Sequence, residues 1–457
     1  MKDSLRVAGF QHRQLQRHLF PGDRLEAVAF ALCGRLHTPV GQILTVQRIV
    51  PVPYSACTRG PDSVTWSSDT LAALLDEAKR QNQAIVKFHS HPSSYEKFSG
   101  TDDRSDRETF ASVFSWIDTS EPHGSAVMLP NGQIFGRSIS PGACQPFSVI
   151  TVVGDDLSYC HSNTLIEGNS EIFAAQDQLF GAGTTKLLQK LRIGVVGCSG
   201  TGSIVIELLT RLGVGVLVLV DHEFIEERNL NRIANAMVAD IGKPKVEVLA
   251  RAVESIGLGT NVLPLHMNLY DPRAIKEIAE CDVVFGCMDT AEGRHLLNRI
   301  AAFYLVAYFD LGVHLAADGE GGIDAASGVV HYLQPGGSSL LSRKAYTLER
   351  VRAENMYRTN PERYKEERKV EYIEGVDEKS PAVASINATI SSLAANEFLA
   401  RVHPFRTCRN SDSAVIRMNF METLIVREPE RDACLSLLPH VGRGDVDPLL
   451  DWPTLSS

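Results

Sequence analysis

Long apolar runs are missing from this 457-residue chain. None approaches the ~20 residues that a membrane-spanning helix needs, and the most apolar stretches, 27–32 and 214–220, have the length of buried strands. The N-terminus lacks the apolar core of a secretion signal, so the cytoplasm is the expected location. Basic runs are missing too: no five Lys or Arg stand together, and the net charge of −10 argues against a nucleic-acid partner. Cysteine occurs nine times at irregular spacing, an odd number that does not make a disulfide framework. No CxxC pair is present, so a cysteine-ligated structural zinc is not expected. No repeat or low-complexity tract appears. What remains is a soluble globular chain, with neither membrane nor nucleic acid as partner, long enough for two to three domains.

The chemistry that is present concentrates in one stretch, HSHPSSYEKFSGTD, residues 89–102. His89 and His91 follow the apolar run 84–88, and at i and i+2 they share one face of a strand end. Asp102, eleven residues after His91, can return across a short loop as a third ligand. Two imidazoles and a carboxylate make a three-ligand zinc site with an open fourth position, the catalytic rather than the structural arrangement. Water held there has its pKa lowered toward ~7 and yields a hydroxide nucleophile.

In full the pattern is HxHP-x6-S-x2-D, and with it the sequence resembles the JAB/JAMM (MPN) metallopeptidases. The resemblance implies cleavage of isopeptide bonds to ubiquitin and ubiquitin-like proteins, with Zn2+ on His89, His91 and Asp102. It also implies a glutamate general acid/base on an earlier strand. The run from Arg24 to Gly34 fits that place and makes Glu26 the base. Ser99 would donate a hydrogen bond to the zinc water or to the developing oxyanion.

Patterning divides the chain at 1–142, 143–185, 186–403 and 404–457. The first block is α/β. It alternates strands with one clear helix at 68–81, whose Leu71, Leu74, Leu75 and Ala78 fall at helical spacing. It closes on a hairpin over 126–136 through the Asn131-Gly132 turn. The second block is a bridging segment. The third sets apolar strands at 191–196, 214–220, 262–267 and 282–285 among helices at 203–211, 245–256, 272–279 and 291–303. That alternation predicts a doubly wound, Rossmann-like parallel sheet. A charged helical insertion is expected over 343–374, a more apolar helix over 380–401, and the last block as a tail packed as an appendage.

Between a strand and a helix of the third block lies Gly197-Cys198-Ser199-Gly200-Thr201-Gly202. Backbone N–H groups and the helix N-terminus can cradle phosphates there. Asp221, ending the next strand, can bond ribose hydroxyls, and to this point NAD and ATP fit equally. Asn229, Arg232, Lys243, Lys245 and Asp289 separate them. Hydride transfer has no use for Arg, Lys and another carboxylate around phosphates. Attack of a carboxylate on the α-phosphate does, because it builds negative charge that Arg and Lys stabilise while Asp holds Mg2+.

Order and spacing over about 186–402 resemble the ThiF/HesA/MoeB superfamily, which includes the ubiquitin-activating enzymes. The resemblance implies adenylation with ATP and Mg2+. Gly197, Gly200 and Gly202 form the cradle, and Asp221 binds ribose. Asn229, Arg232 and Lys245 contact phosphates, the latter two catalytically, and Asp289 coordinates Mg2+. A homodimer is implied as well. The chain departs from the family in having no Arg between Glu171 and Thr185, where relatives reach into a partner's site. It also has no cysteine between Cys287 and Cys408, so the crossover, Leu333-Gln334-Pro335-Gly336-Gly337-Ser338-Ser339, lacks the thioester cysteine. Either the acyl-adenylate passes directly to a partner's nucleophile, or Cys434 substitutes; Cys33, Cys198 and Cys287 read as core.

Together the two resemblances imply a two-headed enzyme of a prokaryotic ubiquitin-like system. One head would trim or remove a ubiquitin-like protein with a Gly-Gly-type C-terminus, and the other would adenylate that terminus, a ubiquitin-conjugating-type enzyme being a further partner. The alternative is activation of a sulfur-carrier protein for cofactor or metabolite synthesis, with the first head maturing the carrier.

Overall fold

The computed structural model describes residues 2–162, 171–369, 381–452 and 455. The chain forms two compact units: Met1–Leu165 with Ala302–Leu305 and Pro439–Ser457, and Ile166–Ala301 with Val306–Leu438.

The first unit runs β1 (Ser4–Ala8), α1 (Gly9–Leu19), β2 (Val28–Thr38), β3 (Gly41–Pro51), β4 (Cys57–Arg59), β5 (Val64–Trp66), α2 (Asp69–Arg80) and β6 (Ala84–Ser90). It continues through α3 (Gly100–Ile117), β7 (His123–Met128), β8 (Ile134–Ser140), β9 (Ala143–Pro146), β10 (Val149–Val153) and β11 (Leu157–His161). Nine strands make one sheet in the order β11-β10-β1-β3-β2-β6-β7-β8-β9. Strand alternation sorts its apolar residues into two cores. Ala29, Ala31 and Cys33 join Ala84, Val86 and Phe88 on one face. Val28, Phe30 and Leu32 join Ile85 on the other, under Leu71, Leu74, Phe110 and Val113 from α2 and α3. The expected helix and the Asn-Gly hairpin are present, the latter turning through Gly132 at φ +86°. Two further helices, α1 and α3, were not anticipated, because charged and polar residues dominate both.

The second unit begins with α4 (Ala174–Phe180) and α5 (Ala182–Leu188), then β12 (Arg192–Val196), α6 (Gly200–Arg211), β13 (Val216–Val220), α7 (Lys245–Ile256), β14 (Asn261–Leu265), α8 (Pro272–Ala279), β15 (Val283–Gly286) and α9 (Ala291–Tyr304). It ends with β16 (Ala307–Ala317), β17 (Ile323–Leu333), α10 (Leu348–Thr359), α11 (Pro361–Lys369), α12 (Ala384–Val402), β18 (Val415–Asn419) and β19 (Leu424–Glu428). The sheet order is β14-β13-β12-β15-β16-β17-β18-β19. The first five strands in that order are parallel, as the alternation predicts. The last three are an antiparallel extension that the sequence reading lacks. The charged insertion is helical in α10 and α11, while its end, 370–374, lies outside the described residues, as does residue 380 of the following helix. Among the described residues no helix is long and apolar enough to cross a membrane.

The segment 404–457, read from sequence as one tail, is divided. Its first part supplies β18 and β19 to the second sheet, and its last part belongs to the first unit. There Gly442 lies against the β2–β3 pair: its carbonyl accepts from Gly34 N at 3.2 Å and from Thr45 Oγ at 2.9 Å. At φ +72°, a Cβ on Gly442 would sit 2.1 Å from the Val46 carbonyl oxygen. We expect Gly442→Ala to destabilise this unit by about 2 kcal/mol. Urea unfolding followed by tryptophan fluorescence reads that unit alone, since Trp66, Trp116 and Trp452 all lie in it. An unchanged midpoint would show that the C-terminal segment adds nothing to its stability.

Candidate functional site

In the first unit, β6 delivers the histidines. It lies between β2 and β7, pairing Val28 with His89 on one side and His89 with Val127 on the other, so its end is fixed by two neighbours. Ser99 caps α3, and the first turn of that helix carries Asp102 back to the strand end. His89 Nε2 stands 2.9 Å from Asp102 Oδ1 and His91 Nε2 stands 3.4 Å from Oδ2. All three residues are buried, and one ligand atom from each lies within 4.8 Å of the others.

Whether this cluster suits a metal is decided by its hydrogen bonds. His91 Nδ1 contacts the Tyr95 carbonyl at 2.7 Å, which makes Nδ1 the protonated nitrogen and leaves the Nε2 lone pair toward Asp102. Neither ring nitrogen of the buried His89 makes a hydrogen bond of acceptable geometry. A buried imidazole in that state beside a carboxylate is costly without a further partner, and a divalent cation supplies one. Burial raises the Asp102 pKa, but the adjacent His89 and His91 imidazoles and the hydrogen bond from Ser99 outweigh it and hold the carboxyl well below the usual range. Phe98 and Phe135 wall the cluster, ring centroids 6.4 Å from His89 and 6.1 Å from His91.

Ser99 serves Asp102. Its hydroxyl donates to Asp102 Oδ2 at 2.7 Å, and Asp102 N donates back at 3.2 Å, so it orients that carboxylate. Glu26 lies two residues before β2, not within a strand. The Arg59 guanidinium holds its carbonyl at 2.7 Å and Gly60 O accepts from its N–H at 2.8 Å. Burial pushes its carboxyl up to about 7, His91 works against that, and Asp102 adds to it. Ser90 was missed from sequence although it stands inside the HSHP motif. Its hydroxyl accepts from Ala27 N at 2.9 Å and its N–H donates to Ala27 O, tying the Glu26 segment to the end of β6.

The second unit offers a different kind of site, built from backbone. β12 is the switch point, with β13 following on one side and β15 on the other, where ligands bind doubly wound sheets. Gly197 takes φ +91°, and a Cβ at Gly202 would fall 1.8 Å from the Gly197 carbonyl oxygen. Gly200 begins α6 directly under Asn387 of α12, which sequence reading missed. Asp221 is buried, its carboxylate accepting from Cys198 N at 2.7 Å and Glu223 N at 2.9 Å, and it thereby pins the glycine loop. Asn229 is also buried and accepts from Glu226 N at 3.0 Å. Arg232 donates to Arg228 O at 2.7 Å, its Cδ 3.6 Å from where a Gly200 Cβ would stand. Lys245 is buried and paired with Glu223. Asp289 is exposed just beyond β15. Arg294, not singled out from sequence, is locked on α9 by Asp310, Nε to Oδ1 2.9 Å.

Cys33 and Cys198 are fully buried, and burial pushes both thiols up; burial likewise pushes the Cys287 thiol up to about 12. Cys434 differs. Its backbone N–H donates to the Gly337 carbonyl at 2.9 Å, which seats it on the crossover that lacks a cysteine of its own. Burial raises its thiol pKa, but the hydroxyls of Ser339 and Ser436 and the N–H groups of Leu437 and Ser436 outweigh it and bring the value below the ordinary one.

Two families share these features. Residues 173–433 match the ThiF family, and residues 11–132 match the prokaryotic homologs of the JAB domain. The first match spans more than half of the chain: this is a member of the ThiF family carrying a JAB domain on its N-terminal side. It is 33% identical over 127 residues to the SAMP-activating enzyme E1 of Haloferax volcanii, covering 28% of this chain and 47% of that protein. It is 28% identical over 126 residues to the adenylyltransferase and sulfurtransferase UBA4 of Meyerozyma guilliermondii, covering 27% and 30%. It is 26% identical over 189 residues to ubiquitin-like modifier-activating enzyme 5 of Aedes aegypti, covering 38% and 45%. The chain thus spans less than half the length of each of these relatives. Among solved structures it is similar to E. coli MccB with ATP, at TM-score 0.46 and 18% identity over 58% of this chain and 74% of that one.

Proposed function

We propose that the chain is a two-headed enzyme acting on the C-terminal tail of a ubiquitin-like protein. The first head hydrolyses the bond that follows the tail, and the second adenylates the freed carboxylate. The observation that carries this reading is a buried His89, His91 and Asp102 cluster beside Glu26, in the same chain as a ThiF glycine loop.

In the first head His89, His91 and Asp102 would hold Zn2+, which when bound polarises a carbonyl and acidifies water. Glu26 takes the proton of the attacking water and returns it to the leaving amine, and a carboxyl pushed up to about 7 is suited to both transfers. The aromatic wall of Phe98 and Phe135 excludes bulk water from the histidines. In the second head the tail carboxylate attacks the α-phosphorus and pyrophosphate leaves. The glycine loop and the N-terminus of α6 receive phosphate oxygens, and Arg232 and Lys245 meet the charge that develops. Asp221 reaches ribose, Asn229 orients phosphate, and Asp289 would hold Mg2+. Sulfur-carrier activation is the second reading, supported by the missing crossover cysteine and by the likeness to a protein named as a sulfurtransferase.

With a ubiquitin-like protein ending in Gly-Gly, we expect ATP–pyrophosphate exchange that falls ~100-fold or more in Asp289→Ala, and one zinc per chain that is lost when His89 and His91 are replaced. Full exchange in Asp289→Ala would contradict the Mg2+ assignment, and a metal-free parent chain would contradict the peptidase.

Cys434 is the proposed acyl acceptor on this chain: its thiolate displaces AMP from the acyl-adenylate and forms a thioester. Intact mass should then show a thiol-labile adduct of chain plus carrier in the parent and none in Cys434→Ala. The same adduct in Cys434→Ala, or none in a parent that exchanges normally, would mean direct transfer to a partner.

A further inference from the structure

Two residues before His89, on the same face of β6, stands Lys87, a lysine only 2% exposed. Its ammonium pairs with Asp106 of α3, 4% exposed, and donates to Ser105 Oγ at 3.2 Å. The indole of Trp66 covers it at 5.5 Å. From β8, Arg137 grips the same helix, Nε to Asp106 Oδ2 at 2.9 Å and Nη1 to Asp103 Oδ1 at 2.6 Å. Its guanidinium also lies 3.8 Å over Phe98, the ring that walls His89. Isolated buried charges cost several kcal/mol each and are tolerated only when paired, so this arrangement calls for a physical reason.

The spacing supplies one. Ile85, Lys87 and His89 recur every second residue of the strand, a step of ~6.6 Å. Phe110, Asp106 and Asp102 recur every fourth residue of the helix, a step of ~6.0 Å. The two ladders run in opposite chain directions and meet rung for rung. Ile85 shares an apolar cluster with Phe110, Lys87 pairs with Asp106, and His89 meets Asp102. Apolar contacts between Ile85, Phe110 and Val113 tolerate sliding along the helix axis, because they have no direction. The ion pair does not, since a shift of one residue rotates Asp106 away by ~100° and strands both charges.

We propose that Lys87, Asp106 and Arg137 form a register clamp that presets α3 against β6 so that the Asp102 carboxylate is presented to both histidines before any metal arrives. These are positioning residues; none touches the ligand atoms. The inference rests on the zinc reading above and adds residues that lie outside the HxHP-x6-S-x2-D pattern.

The test separates register from mere stability. Lys87→Met alone leaves Asp106 buried and partly unpaired and should lower both the melting temperature and zinc affinity. Replacing both partners, K87M/D106L, removes the buried lysine–aspartate pair, leaves Arg137 on Asp103, and should recover much of the melting temperature. Its zinc affinity, by chelator competition on the full chain, should stay ~10-fold or more below the parent, the range found when groups that orient metal ligands are removed. ATP–pyrophosphate exchange in the other unit should be unchanged. If K87M does not fold, the double variant carries the test. Zinc affinity within threefold of the parent in K87M/D106L would overturn the clamp while leaving the zinc site standing. A parent chain that binds no zinc would overturn both.

Discussion

One carboxylate organises the first unit's chemistry. Asp102 stands between His89 Nε2 and His91 Nε2, and nothing in its own backbone would put it there. It arrives because Ser99 caps α3 and exchanges hydrogen bonds with it, and because the helix meets β6 at the right register. Three buried polar groups drawn this close are unfavourable as a resting arrangement without a cation. The strain is concentrated at His89, whose ring nitrogens are buried without hydrogen bonds. The Glu26 segment, the aromatic wall and the N-terminus of α3 are arranged around that carboxylate.

The second unit solves its binding problem without strained charges. Its glycine loop works by omission: at Gly197, Gly200 and Gly202 a side chain would collide with Cys287 O, Asn387 or Gly197 O. Without those side chains the backbone N–H groups stand open at the switch point of the sheet, the place where doubly wound sheets take ligands. Asp221 accepts from Cys198 N and Lys245 pairs with Glu223, so the loop and its surroundings are ordered by contacts within the chain. The seat of Cys434 on the Gly337 carbonyl follows from the antiparallel extension, because β18 and β19 bring the chain back to the crossover.

Much of this was legible from sequence, and for identifiable reasons. The central parallel strands β12, β13 and β15 were readable because burial on both faces makes them continuous apolar runs. The His89, His91 and Asp102 cluster was readable because the three residues crowd into fourteen residues of chain. The helices α1 and α3 were not. In α3 the buried face includes Asp102, Asp106 and Thr109 as well as Phe110, Val113 and Ile117, so apolar periodicity alone hides it. Lys87 stands inside the run 84–88, which was read only as apolar, and its partner lies nineteen residues on, in a helix that had not been recognised. Ser99 was seen, but its cap on α3 was not, because that helix had not been recognised. β17, β18 and β19 escaped because mixed-polarity strands of an antiparallel extension carry weak patterns.

Two heads that handle one tail in order, hydrolysis first and activation second, are distinguished by ATP–pyrophosphate exchange on two forms of one ubiquitin-like protein, one ending in Gly-Gly and one extended by a further residue. The parent chain should exchange with both. A His91→Ala chain should exchange with the Gly-Gly form at the parent rate and not at all with the extended form. Equal exchange by His91→Ala on both forms would contradict that order.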